Sequence, residues 1–395
     1  MSRPQNNENH KMGWVAIRRG HRSRPIEWLA EKSIFLVSLS AILMVFLIFI
    51  FVAREATPIF FGKEDSSLIK PVIPVGEMDN LQPEELRRYL GLSDKKFAEM
   101  DMETLQALME IKIEAQNEIP ERLRNDPDAK LNTTEWSAML KPRQWTGYDK
   151  PEYIWQPIGQ IHKYNIIPLI VGSLKITLIG LLFAVPLAVG AAIYVSQLAR
   201  PRVREIVKPV IEMLSGIPSV VVGFFALLVM ATVMQKIFGY ETRLNAFVAG
   251  VALSFSVIPL VFSIAEDALT SVPRSYTQAA LALGASRWQT AWQIVMPAAL
   301  PGVFAAVVLG FGRAIGETMI VLMVCSASVM SWSIFDSARS ITTTIAAEMA
   351  EAVSGGHHYR ILFMLGAILF AVTFFSNMLA DVVIHRLKRK LEGKR

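Results

Sequence analysis

SYTQAALALGASRWQTAWQIVMP, residues 275–297, is a moderately polar insert between two long apolar runs, Leu244–Ala265 and Ala298–Cys325. Ala279, Ala280, Leu283, Ala291, Ile294 and Val295 recur at three- and four-residue steps, the spacing of short helix with one apolar face. Gly284 interrupts that pattern, which predicts helix, turn, helix, with Pro297 closing the unit. Alanines and a glycine let another surface approach the backbone, and Arg274, Arg287, Trp288 and Trp292 would rim the contact. The stretch reads as a docking knob on the face of a membrane protein.

Composition agrees. Of 395 residues, 52% are hydrophobic and 19% charged, too apolar for a soluble chain and too charged for one in lipid throughout. The apolar runs are about 20 residues or longer, the length of transmembrane helices rather than barrel strands. The expected fold is an all-α polytopic membrane protein with six transmembrane helices and a mostly helical extracytoplasmic insert. The other runs are Ser33–Ala53, Ile166–Val195, Ile217–Ile237 and Ile361–Ile384. A single cysteine, Cys325, excludes an intramolecular disulfide. The net charge of +6 gathers at the chain ends, where basic residues flank spans as orientation signals, so nucleic acid is not an expected partner.

Taken in order, residues 1–32 form a basic cytoplasmic tail and 33–53 an uncleaved first span, followed by Arg54-Glu55 instead of a small-residue cleavage site. Residues 54–165 form the insert, with helical patterns over Pro83–Leu90 and Ser93–Ile119 and an irregular, aromatic stretch over Leu140–Pro157. Asn132-Thr133-Thr134 reads as a helix N-cap before Glu135. Excising about 60–150 is expected to leave the spans folded. Residues 166–384 hold five further spans, and 385–395 a basic tail. Arg200, Arg202, Arg204 and Lys208 read as a cytoplasmic loop, which places both termini and the 275–297 loop inside the cell. Lys236 and Arg243 read as solvated charges of one outer loop, and Arg339, His357 and His358 of another. Lys175 is expected to snorkel at the outer interface.

Gly310–Thr318, GFGRAIGET, sets Arg313 about 22 Å along the fifth span, counted from Ala298. An arginine at that depth costs at least ~2.5 kcal/mol and needs a partner or a wet cavity. Glu317 falls one helical turn on, and the glycines leave that face open. One reading is a self-neutralised pair pinning two helices. The other is an anion gate, in which the guanidinium fork meets oxyanion oxygens and the carboxylate keeps binding weak.

Ala279-Ala280, Gly284, Ile294 and Pro297 resemble, in their spacing, the "EAA" loop of ABC importer permeases, the cytoplasmic helix that seats in the ATPase subunit. Gln278 stands where the family has Glu, and Met296 where it has leucine. RAIGET, Gly216–Gly223 and Ser263–Leu269 look like the permeases of the phosphate-specific (Pst) importer, and GRAIGETM with Trp155–Pro157 is closer to its PstC-type subunit. The resemblance covers about 155–390. It implies ATPase coupling through Gln278, Ala279, Ala280, Gly284, Ala285, Arg287, Ile294 and Pro297, and a phosphate pathway through Arg313, Glu317 and Thr318. It further implies a multi-pass bacterial inner-membrane subunit working with a sister permease, two ATP-binding subunits and a periplasmic phosphate-binding protein. With no GxxxxGK[ST], this chain is expected to hold no cofactor and to catalyse nothing, ATP being used by the partners. Permeases for sulfate or another small oxyanion, the PstA-type sister and a membrane receptor or scaffold are the alternatives.

Overall fold

The structure, a computed structural model, describes residues 25–391 except 63, 71–72, 75, 77–80, 91, 93 and 326–329. Most of the basic N-terminal tail and the last four residues therefore lie outside it. Two compact units divide the chain, one ending at Phe51 and the other beginning at Val52. Among the described residues six helices are long and apolar enough to cross a membrane: Trp28–Phe60, Ile167–Leu198, Ser219–Phe238, Ala246–Thr270, Arg287–Ile315 and His357–Arg386. The protein is an all-α polytopic membrane protein.

Helix α1 (Pro25–Phe60) carries no charge from Ser33 to Ala53, and its side chains from Ile34 to Ile50 are exposed, as a lipid-facing span requires. In the second unit α1 ends with Ala56 and Ile59 fully buried. The insert then supplies α2 (Pro83–Leu90), α3 (Asp94–Glu99), α4 (Met102–Asn117), α5 (Glu121–Arg124) and α6 (Trp136–Leu140). A two-stranded ribbon, β1 (Trp155–Gln156) antiparallel to β2 (Lys163–Tyr164), leads into the spans. Asp101 splits the predicted 93–119 helix by capping α4 through Thr104 N–H. Asn132 caps no helix: its amide bonds the backbone of Glu64 and Ser66 and fastens the start of the insert.

The second span is α7 (Ile167–Ile193), prolonged by a π turn over Tyr194–Leu198. Helix α8 (Pro201–Leu214) replaces the expected basic loop, with Pro201 in its first turn. The third span joins α9 (Ser219–Phe225) to α10 (Ala231–Phe238) through a π turn over Ala226–Met230. A π turn leaves carbonyls without α-helical partners. Arg243 answers one of them: its Nη1 donates to Leu227 O at 2.9 Å, so this arginine is a backbone cap and not a solvated loop charge. The fourth span, α11 (Ala246–Thr270), is the most buried and packs chiefly on α7 through Ile176, Ile179, Leu253 and Val257.

After α11 come α12 (Arg274–Ala282), α13 (Arg287–Gln289), a π turn over Thr290–Val295 and α14 (Met296–Ile315). The last three form one unbroken helix, so Pro297 closes nothing. The wide turn explains why: Met296 N–H bonds Ala291 O, and Pro297, with no N–H, falls just past it. The fifth apolar run is likewise not one helix to Cys325. It breaks after Ile315, and α15 (Met319–Val324) begins anew. Helix α16 (Ile341–Glu348) and the last span, α17 (His357–Leu391), complete the chain.

Ala56, Ile59, Met139, Trp155, Tyr164, Leu169, Ile341 and Ile361 share one buried core. Glu64 is buried and pairs with His357 and Arg360 on α17. Trp155 Nε1 donates to Glu348 at 3.1 Å, and Arg339 meets the same carboxylate at 3.1 Å. Arg339, His357 and His358 therefore pair with buried carboxylates rather than standing as solvated loop charges. Excision of 60–150 would remove Glu64 and leave His357 and Arg360, both half-buried, without that partner. Lys175 likewise does not snorkel freely: its Nζ donates to Ser331 O and Ser333 O, at 2.8 and 2.9 Å.

Candidate functional site: the elbow and the arginine cavity

Gln197 at the end of the second span bonds Leu269 O at the end of the fourth, so α8, the end of α11 and the 275–297 elbow share one end of the second unit. The insert, Lys175 and the start of α11 share the other. The elbow is a helix–turn–helix. Gly284 lies at φ +88°, a left-handed turn that non-glycine residues enter at a cost of about 1–2 kcal/mol. Ala285 N–H bonds Ala280 O at 3.1 Å, and Ser286 with Gln289 forms a capping box that restarts the chain as α13.

The apolar stripe read from the sequence divides here. Ala280, Ala291 and Val295 are buried, whereas Leu283 is 90% exposed and Ile294 is exposed as well. Leu283 sits at the α12 C-cap, where the turn swings it off the helix face. Gln278, Ala279, Gly284, Arg287 and Pro297 are exposed, Ala285 partly so, and the Trp288 and Trp292 rings stack 6.0 Å apart in the open. The elbow therefore presents alanines, a bare turn and two indoles to its surroundings.

One buried carboxylate supports this end. Glu266, 0% exposed, bonds Arg204 Nη2 at 2.6 Å and Lys208 Nζ at 2.7 Å, and accepts from Thr270 Oγ1 at 3.0 Å. The Lys208 ammonium is raised above its ordinary range, chiefly by its hydrogen bond to Glu266. This clamp holds α8 to α11. Arg204, Lys208 and Glu212 follow at four-residue steps, so the face of α8 that makes the clamp also carries Glu212.

Beside the clamp opens a cavity of about 420 Å³, lined among others by Glu212, Ser215, Ser256, Pro259, Ser263 and Arg313. Arg313, in the last turn of α14, donates through Nη2 to Ser256 Oγ at 3.1 Å and through Nε to Ser256 O at 3.4 Å. Ser256 is ten residues into α11, about 15 Å along a helix of about 37 Å, so Arg313 is held near mid-depth. Ser263 lies two turns, about 10 Å, closer to the elbow end.

Glu317 and Thr318 are not on this wall. The helix ends at Ile315, so Glu317 is not one turn on from Arg313, and the two make no ion pair. Glu317 O instead accepts from Thr342 Oγ1 at 3.1 Å. Nor does Gly310 open a passage: a methyl there would meet Val261 Cγ2 at 2.6 Å, so this glycine is used for close packing against α11. Glu212, Ser256 and Ser263 were the missed residues. Their signal was present, in a four-residue stripe on α8 and a seven-residue interval on α11.

The sequence profile of the binding-protein-dependent transport system inner membrane components matches residues 184–389, and the chain belongs to that family of membrane transport subunits. Among its relatives, the probable ABC transporter permease protein YqgH of Bacillus subtilis is 35% identical over 235 residues, 59% of this chain and 76% of that protein. The phosphate transport system permease protein PstC of Pasteurella multocida is 32% identical over 261 residues, 61% of this chain and 80% of its own. Its counterpart in Xylella fastidiosa is 33% identical over 257 residues, 60% and 78% of the two chains. Among solved structures, an inward-facing MetNI methionine ABC transporter chain aligns at 17% identity with a TM-score of 0.43, covering 56% of this chain and 94% of that one.

Proposed function

We propose that this chain is a permease subunit of an ATP-driven ABC importer that moves inorganic phosphate across the bacterial cytoplasmic membrane. The observation that carries the reading is a continuity. The helix that leaves the elbow at Arg287 runs unbroken to Ile315 and carries Arg313 in its last turn. A push delivered to the elbow reaches that guanidinium along one continuous helix, with no loop between them. Gln278, Ala279, Ala280, Gly284, Ala285, Arg287, Ile294 and Pro297 form the contact with an ATPase subunit. Arg313 meets the anion, with Glu317 and Thr318 at the helix break above it.

ATP is bound and hydrolysed by two partner subunits, and this chain holds no cofactor. A sister permease completes the pathway, and a periplasmic binding protein delivers phosphate to the insert side. With six crossings the elbow and both termini share one side, and the basic residues of the two tails support the cytoplasm as that side. The relatives named as phosphate transport permeases support the substrate, and a guanidinium fork fits its oxygens.

The test is phosphate uptake by the complete transporter in proteoliposomes. Arg313→Gln is expected to lower uptake at least about tenfold while ATPase subunits still co-purify. Uptake left at the unmodified rate would remove the anion pathway from this cavity.

A further inference from the structure

We propose that Glu212, across the cavity from Arg313, selects for an oxyanion that brings its own proton, so that this wall admits hydrogen phosphate and turns sulfate away. The inference rests on the reading of the cavity as an anion pathway.

Some polar atoms lining the cavity are spent on protein partners and others are not. Arg313 commits Nε and Nη2 to Ser256, and its Nη1 has no protein partner among the described residues. Ser256 Oγ accepts from Arg313 and keeps its own proton to donate. Ser263 Oγ has no hydrogen bond among the described residues, so it can both donate and accept. Ser215 Oγ donates to Glu212 O, the backbone oxygen, and leaves the carboxylate alone. The Glu212 side chain makes no ion pair or hydrogen bond among the described residues, although Lys208 lies one turn back on the same stripe. One cavity is thus lined by a guanidinium and a carboxylate with no ion pair between them among the described residues, each with polar atoms left over, and Glu212 feels Lys208 only through its charge.

A purely attractive anion site would carry donors only. Here one wall donates, through Arg313 and the serines, and the facing wall carries an acceptor-only group. Sulfate at neutral pH has acceptors alone, so against Glu212 it meets like charge with no proton between them. Hydrogen phosphate places its P–OH on the carboxylate while its other oxygens take hydrogen bonds from Arg313 and Ser256. Refusing a competitor by an unmatched group is the cheaper route to specificity when the attractive contacts are common to both ligands. The same carboxylate limits how tightly any anion rests at Arg313, which conduction requires.

The experiment uses the complete membrane complex, this chain with its partner permease and ATPases, without the binding protein, so that selection upstream is absent. Binding of radiolabelled inorganic phosphate is measured with unlabelled phosphate or sulfate as competitor. In the unmodified complex sulfate should compete at least about tenfold less well than phosphate. Glu212→Gln replaces the acceptor-only group by an amide that also donates, and should close that gap by about tenfold, chiefly by strengthening sulfate. Ser256→Ala should weaken both anions alike and leave their ratio unchanged. Arg313→Gln separates the two layers of the reading: phosphate binding that survives it overturns the pathway itself. Binding that depends on Arg313 with a phosphate-to-sulfate ratio unmoved by Glu212→Gln overturns the selection alone. A complex in which phosphate up to millimolar concentration shows no binding overturns both.

Discussion

The two ends of the second unit are built on opposite plans. At the insert end, the carboxylates are buried and paired. Glu64 meets His357 and Arg360, Glu348 meets Arg339, His358 and the Trp155 indole, and Tyr164 stacks on His358 at 5.8 Å. At the elbow end, only the Glu266 clamp is finished in this way, while Leu283, Trp288 and Trp292 stand exposed. A surface completed within the chain needs no partner to be stable. A surface left with bare indoles and a bare leucine is waiting for one. The comparison teaches that the insert end is completed within the chain, while the elbow end keeps large apolar side chains in the open.

The strongest way to break this comparison is at the insert end. Glu348→Ala leaves the half-buried Arg339 and the Trp155 indole without their acceptor and should cost about 1–3 kcal/mol, read as a lower unfolding midpoint of the detergent-solubilised protein. A midpoint unchanged by that substitution would remove the distinction between the ends. Next is Gly284→Val, which forces a β-branched residue to φ +88° at about 1–2 kcal/mol of strain. It should leave the spans folded, by circular dichroism, and reduce co-purifying ATPase at least about tenfold; full retention of the ATPase would show the turn to be ordinary surface. Trp288→Ala comes third. It should move stability by no more than about 0.5 kcal/mol, since the ring is exposed, yet weaken the ATPase contact in a pull-down.

The smallest effect sharpens the comparison from inside the insert. Leu86, Leu105 and Met109 form a small core of their own, apart from the one that holds Trp155. Lys70 N–H donates to Gln116 Oε1, so the two ends of that lobe touch. Replacing 72–114 by a short glycine linker should therefore shift the midpoint by less than about 2–4 °C. A large drop would make the entire insert part of that completed end.

Much of the fold was legible because its signals are local. Apolar length gave all six spans, Gly284 gave the turn, and the alternation of apolar and small residues gave an elbow between the fourth and fifth. What escaped depended on contacts distant in sequence. Nothing near Arg243 announces that a π turn sixteen residues earlier leaves Leu227 O in need of a donor. Nothing near His358 announces that it meets Glu348 and Tyr164 at the foot of the insert. Arg313 and Glu317 failed as a pair because helical periodicity was extended across a break that Gly316 and Thr318 introduce. Glu212 was hidden by its neighbours, since a run of arginines and lysine reads as an orientation signal before it reads as a helix face.

The wide turn at Thr290–Val295 has a mechanical consequence. It stores one residue more than an α turn would, and one residue of α-helix is about 100° of rotation and 1.5 Å of travel. Were it to tighten, the helix beyond would corkscrew by that amount, carrying Arg313 from one wall toward the next. A straight shove arriving at the elbow would then leave the far end of the helix as a twist, much as a cam converts one motion into another.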